Sequence, residues 1–135
     1  MTIKEYQDLA MRTNDGLCTD RVENCIEKFL RAVSYRSMGL SDEIIIDPGE
    51  LLNGALGLTG EAGEVSDMIK KYIFHGHDLN RGELVKELGD CAWYLALLCS
   101  AIDITLEEVL IANIEKLRNR YPEGFSESAS INRTE

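Results

Sequence analysis

The chain has 135 residues and a formal net charge of −10, with 44% hydrophobic and 28% charged residues. That is enough for one ordinary globular domain, expected over residues 1–125, and there is no apolar run long enough for a membrane helix. The acidic balance argues against a nucleic-acid backbone as partner, although a small phosphate ligand stays open because a bound divalent cation inverts the local field.

The N-terminus lacks the basic-then-apolar pattern of a secretory signal, so a cytoplasmic location is expected. Only two prolines and almost no alternating pattern predict an all-α fold, a bundle of about five helices. Thr2 with Glu5 reads as a capping box opening a first helix, ended by Asn14-Asp15-Gly16. Asp20 with Glu23 opens a second, carrying Val22, Ile26, Phe29, Leu30 and Val33 at helical spacing and ending at Gly39. Ile44-Ile45-Ile46 reads as a loop whose apolar residues cover the core.

A third helix is expected from about Glu50 to Phe74. Its glycines, Gly54, Gly57, Gly60 and Gly63, each cost roughly 1 kcal/mol against alanine. They suggest close helix contact or room for a ligand, with Gly60 the candidate kink. His75-Gly76-His77-Asp78 is a turn, and its histidines read as surface residues. Asn80 with Glu83 caps a fourth helix reaching about Ile102, and Thr105 with Glu108 caps a fifth ending near Arg120. Residues 126–135 read as a frayed, flexible tail. Cys18, Cys25, Cys91 and Cys99 form no CxxC pair, so buried reduced thiols are expected rather than zinc or disulfides.

Glu61-Ala-Gly-Glu64 and Glu87-Leu-Gly-Asp90 each place two acids three residues apart. Projected at about 100° per residue, Leu84, Cys91, Tyr94, Leu95 and Leu98 lie within roughly 80° of Glu87. Leu58, Val65, Met68, Ile69 and Tyr72 lie equally close to Glu61. Both acids therefore sit inside apolar stripes, with Glu64 and Asp90 beside them, and all four are expected to point inward. A buried carboxylate needs a proton, a cationic partner or a metal. Four oxygen ligands suit a hard ion, Mg²⁺ first and Mn²⁺ second. On the fifth helix Asn113, Lys116 and Arg120 share a face, with Asn113 projecting inward among Leu110, Leu117 and Val109. The two cations suit triphosphate oxygens or, equally, salt bridges to surplus acids. Trp93 falls off the main stripe and reads as a subunit contact ahead of a base-stacking residue.

Three blocks carry a family resemblance: Asn53-Gly-Ala-Leu-Gly-Leu-Thr-Gly-Glu61-Ala-Gly-Glu64-Val65, then Glu87-Leu-Gly-Asp90, then Asn113-Ile-Glu-Lys116-Leu-Arg-Asn-Arg120-Tyr-Pro-Glu-Gly-Phe125. Together, over residues 51–125, they resemble the MazG-like nucleoside triphosphate pyrophosphohydrolases, whose signature is ExxE, a spacer and ExxD; the spacer here is the 22 residues 65–86. The resemblance implies a helical core completed in a homodimer or homotetramer. It implies Mg²⁺ held by Glu61, Glu64, Glu87 and Asp90, and hydrolysis of a (deoxy)nucleoside triphosphate to the monophosphate and pyrophosphate, as in house-cleaning of the nucleotide pool. Asn113, Lys116 and Arg120 match substrate positions, and Asn53 and Lys70 or Lys71 follow by block context. Glu64 is the choice for the carboxylate that takes the proton from water. The competing reading is a non-catalytic helical regulator that binds nucleotide and metal.

Overall fold

The computed structural model describes residues 1–131, and within them the chain is six α-helices without a strand. It divides into two compact units, Met1–Pro48 and Gly49 onward.

In the first unit, α1 (Ile3–Met11) opens on the expected capping box, with the Glu5 N–H donating to Thr2 Oγ1 at 3.1 Å and the Thr2 N–H donating to Glu5 at 2.6 Å. Helix α2 spans Cys18–Ser37 and begins before Asp20, which lies in its first turn rather than at its cap. The organising acid is Asp15: its carboxylate accepts from the Leu17 N–H at 3.0 Å and from the Arg21 guanidinium. The far end closes as expected at Gly39 (φ +69°), where the Gly39 N–H reaches the Arg36 carbonyl and the Leu40 N–H reaches Tyr35. Of the three isoleucines expected to cover the core, Ile44 and Ile46 are exposed and only Ile45 is half-buried.

The second unit holds α3 (Pro48–Phe74) from Gly49 onward, α4 (Arg81–Ala101), α5 (Leu106–Arg120) and the one-turn α6 (Glu127–Ile131). Helix α3 starts two residues before Glu50 because proline suits the first helical position, where its missing N–H would have had no acceptor. The helix is unbroken through Gly60. Asn80 caps α4 alone, accepting from the Gly82 and Glu83 N–H groups, while the Glu83 carboxylate turns to Lys86 at 2.7 Å. Thr105 and Glu108 form a complete capping box on α5. Of the tail expected over 126–135, residues 127–131 are the short α6, and 132–135 lie outside the described residues.

Gly54, Cys99 and Ala101 are the fully buried residues of this unit. Gly54 marks where α3 meets α4. A Cβ on Gly54 would stand 2.7 Å from Leu98 Cγ, and one on Gly57 only 2.1 Å from the ring of Tyr94. Two of the four helix glycines thus serve close contact, while Gly60 and Gly63 have open space beside them. Gly57→Ala is expected to destabilise by about 1–3 kcal/mol through overpacking, despite the better helix propensity of alanine. Gly60→Ala should gain up to ~1 kcal/mol by that propensity. Urea melts of the two variants check the opposite signs.

The cysteines are all free; Cys99 is buried and Cys91 half-buried, but Cys18 and Cys25 are exposed, contrary to expectation.

Candidate metal and nucleotide site

The α3–α4 contact runs antiparallel, since Gly54 meets Leu98 and the next turn, Gly57, meets Tyr94. Continuing one turn along α3 and one back along α4 brings Glu61 opposite the segment of Glu87 and Asp90. One carboxylate oxygen from each of these three residues lies within 4.8 Å of the others. The glycines allow the approach, and the approach assembles the acids.

Burial grades the four carboxylates. Glu61 and Glu87 are half-buried, whereas Glu64 and Asp90 are exposed, so the inward orientation expected of all four holds only for the pair inside the apolar stripes. Glu64 stays outside the three-oxygen cluster but within electrostatic range of Glu87. The Glu87 carboxyl is pushed above its ordinary value by burial first, then by the charge of Glu61 and a hydrogen bond with it, then by Asp90 and Glu64. Such a group favours a proton, because like charges held together resist joint ionisation. A divalent cation fills the same need. Three hard oxygen donors without nitrogen or sulfur fit Mg²⁺ or Mn²⁺. His75 and His77 are exposed and outside this cluster.

The remaining expected site residues are not drawn into the cluster. Asn53, Asn113 and Lys116 are exposed and Arg120 is half-buried. Asn113 does not point inward, because its neighbours in the stripe, Val109, Leu110 and Leu117, are themselves exposed at 38%, 56% and 38%. Neither Lys116 nor Arg120 forms an ion pair among the described residues.

Lys70 and Lys71 are both engaged. Their ammonium groups lie 2.5 and 2.6 Å from the two oxygens of Asp67. These hydrogen bonds, Lys70 first and then Lys71, bring the Asp67 carboxyl down to about 2. Any stability that rests on this charge is present above the ordinary carboxylate range and is lost as pH falls through about 2. An NMR titration of the Asp67 side-chain carbonyl should show that midpoint, and replacing both lysines with glutamine should return it to the model-peptide value of about 3.9. Asp67 and Lys86 were missed in the sequence. Lys86 pairs with Glu83 and feels the charge of Glu87. The readable signal was an acid three or four residues from a lysine on one helix.

The two longest helices of this all-α unit bring together three hard-oxygen donors, a set that suits a divalent cation. Comparison with known proteins narrows this. Residues 51–125 match the MazG nucleotide pyrophosphohydrolase domain, and the chain belongs to that family. It is 37% identical over 82 residues to the Gene 37 protein of Mycobacterium phage L5, a match covering 58% of this chain and 72% of that protein. No solved structure matches. Among the described residues no helix is long and apolar enough to cross a membrane.

Proposed function

We propose that the protein hydrolyses (deoxy)nucleoside triphosphates to the monophosphate and pyrophosphate with Mg²⁺, Glu61, Glu87 and Asp90 holding the cation. The observation that carries the reading is the convergence of these three carboxylates from two helices inside the span that matches the family. Bound there, the cation neutralises phosphate charge and lowers the pKa of a water.

The chain's own residues account for the other requirements. Glu64 is exposed and uncommitted to the three-oxygen cluster, which supports it as the base that accepts the proton when water oxygen bonds to phosphorus. As that bond forms, the bond between the α phosphorus and the bridging oxygen breaks, and the electron pair leaves with pyrophosphate. Lys116 and Arg120 are without carboxylate partners among the described residues and are suited to the departing phosphates, with Arg120 offering paired donors. Asn113 and Asn53 are assigned to hydrogen bonds with the nucleotide, and Lys70 or Lys71 to its phosphate chain. The core is completed by a second copy, in a homodimer or homotetramer, against the exposed apolar faces of α3, α4 and α5; Trp93, 58% exposed, belongs to that contact.

The test is pyrophosphate release from a panel of nucleoside and deoxynucleoside triphosphates, with Mg²⁺ or with EDTA. Release that needs Mg²⁺ and leaves the monophosphate supports the reading. A folded protein that releases none defeats it.

A further inference from the structure

We infer that Asp67 is a positioning residue for substrate: its shared carboxylate fixes Lys71 on the Glu64 face of α3, where the ammonium receives the terminal phosphates of a nucleoside triphosphate. The inference rests on the proposed pyrophosphohydrolase reading and separates two lysines that the sequence left equivalent.

Lys70 and Lys71 are the only cations on α3. They differ in direction. Lys71 is seven residues beyond Glu64 and projects within roughly 20° of it, whereas Lys70 projects about 120° away. Lys71 starts roughly 10 Å further along the axis, but long helical side chains lean towards the N-terminus and bring the ammonium back towards the acids. The charge of Glu64 does act on Lys71.

Asp67 sets the local balance. One carboxylate between two ammonium groups, at 2.5 and 2.6 Å, leaves a single net positive charge just past the acid cluster, in a chain of net charge −10. The carboxylate is one-third exposed and the lysine side chains about half. Lysine is rich in rotamers, and a side chain already held gives up less freedom when an anion arrives. The ligand class follows from position. A phosphate at the acids and a second further along α3 are both reached by a triphosphate and not by the monophosphate product.

The test uses the full chain with Mg²⁺ and a non-hydrolysable α,β-methylene nucleoside triphosphate, measured by calorimetry beside the matching monophosphate. Lys71→Gln should weaken triphosphate binding about tenfold and Asp67→Asn about fivefold, from loss or loosening of a charged hydrogen bond. Monophosphate binding should change by no more than about twofold, since that ligand does not reach Lys71. In turnover KM should rise while kcat holds, Asp67→Glu should restore most of the loss, and Asp67→Asn should add nothing in a Lys71→Gln background. Lys70→Gln should lose less than Lys71→Gln.

Lower melting temperature with unchanged binding in both variants would make the lysines mere helix-end cations and overturn the inference. Equal losses for mono- and triphosphate, or for Lys70→Gln and Lys71→Gln, would overturn it too. If Asp67→Asn fails to fold, the Lys71→Gln arm decides. Wild-type protein that binds nucleotide while these variants are indifferent sinks this inference alone. Wild-type protein that neither binds nucleotide nor releases pyrophosphate sinks the parent reading and this one with it.

Discussion

Glu87→Gln should lower pyrophosphate release by roughly a hundredfold while making the metal-free protein more resistant to heat. The two effects have one cause. Glu87 lies within 4.8 Å of Glu61 and Asp90 on a half-buried helix face, and its carboxyl is held above the ordinary value by burial and then by those neighbours. An acid whose folded-state value is raised binds its proton more tightly when folded. Its penalty is absent below the unfolded value, grows as pH rises through the window above it, and is complete once the folded-state value is passed. Glutamine removes the charge, keeps the shape and lifts the penalty. It also removes a ligand. Mg²⁺ should therefore raise the melting midpoint of wild type, because a ligand that binds the native state stabilises it, and should raise that of Glu87→Gln much less. Calorimetric melts with Mg²⁺ and with EDTA, beside turnover, check both signs. A metal-free variant melting below wild type would mean that the carboxyl is satisfied by contacts other than repelling acids. Asp90→Asn, at an exposed position, should repeat the activity loss with a smaller gain in heat resistance.

The contrast between those two acids marks what the sequence makes legible. Helix starts that depend on side chains three residues apart, Thr2 with Glu5 and Thr105 with Glu108, are local and came out as read. Asp20 was displaced because Asp15, further back in the turn, binds both the Leu17 N–H and Arg21, a choice that spacing alone does not reveal. Periodicity placed Glu61 and Glu87 inside apolar stripes, and both are half-buried. It overstated the burial of Glu64, Asp90 and Asn113, since a stripe gives a direction and burial needs something opposite. The glycines of α3 signalled close contact, but the identity of the facing residues, Leu98 and Tyr94, belongs to the pairing of helices and is not written in either one. Asp67 escaped notice because its role depends on which lysines it holds. The metal role proposed for the acids comes from family likeness; their convergence on three oxygens required the fold.

The unexplained feature of the second unit is its uncovered apolar surface, and it leads to the other large expected effect. Helix α5 exposes Leu110, Ile111 and Ile114 by 56%, 51% and 46%, and these line a shallow groove of about 490 Å³ together with Leu106 and Arg118. Burying one such side chain is worth roughly 1.5–3 kcal/mol, so a face of this composition left in water forfeits a large part of what holds a small domain together. The same groove is lined by Glu107, Glu115 and Arg118, so both signs of charge accompany the apolar residues. A second copy is the occupant to expect, since an interface between copies places apolar against apolar with a polar rim. Wild-type protein should sediment as a dimer or tetramer at micromolar concentration, with a melting midpoint that falls on dilution. Leu110→Lys, which puts an ammonium on the groove's lining, should dissociate it and lower the midpoint well beyond the ~0.5 kcal/mol usual for an exposed substitution. If wild type is monomeric across that range, or Leu110→Lys is as stable and as large as wild type, this face is not where copies meet. Turnover measured on the dissociated variant then tells whether the acids of a single chain suffice, because Glu61, Glu87 and Asp90 all come from the same α3–α4 pair.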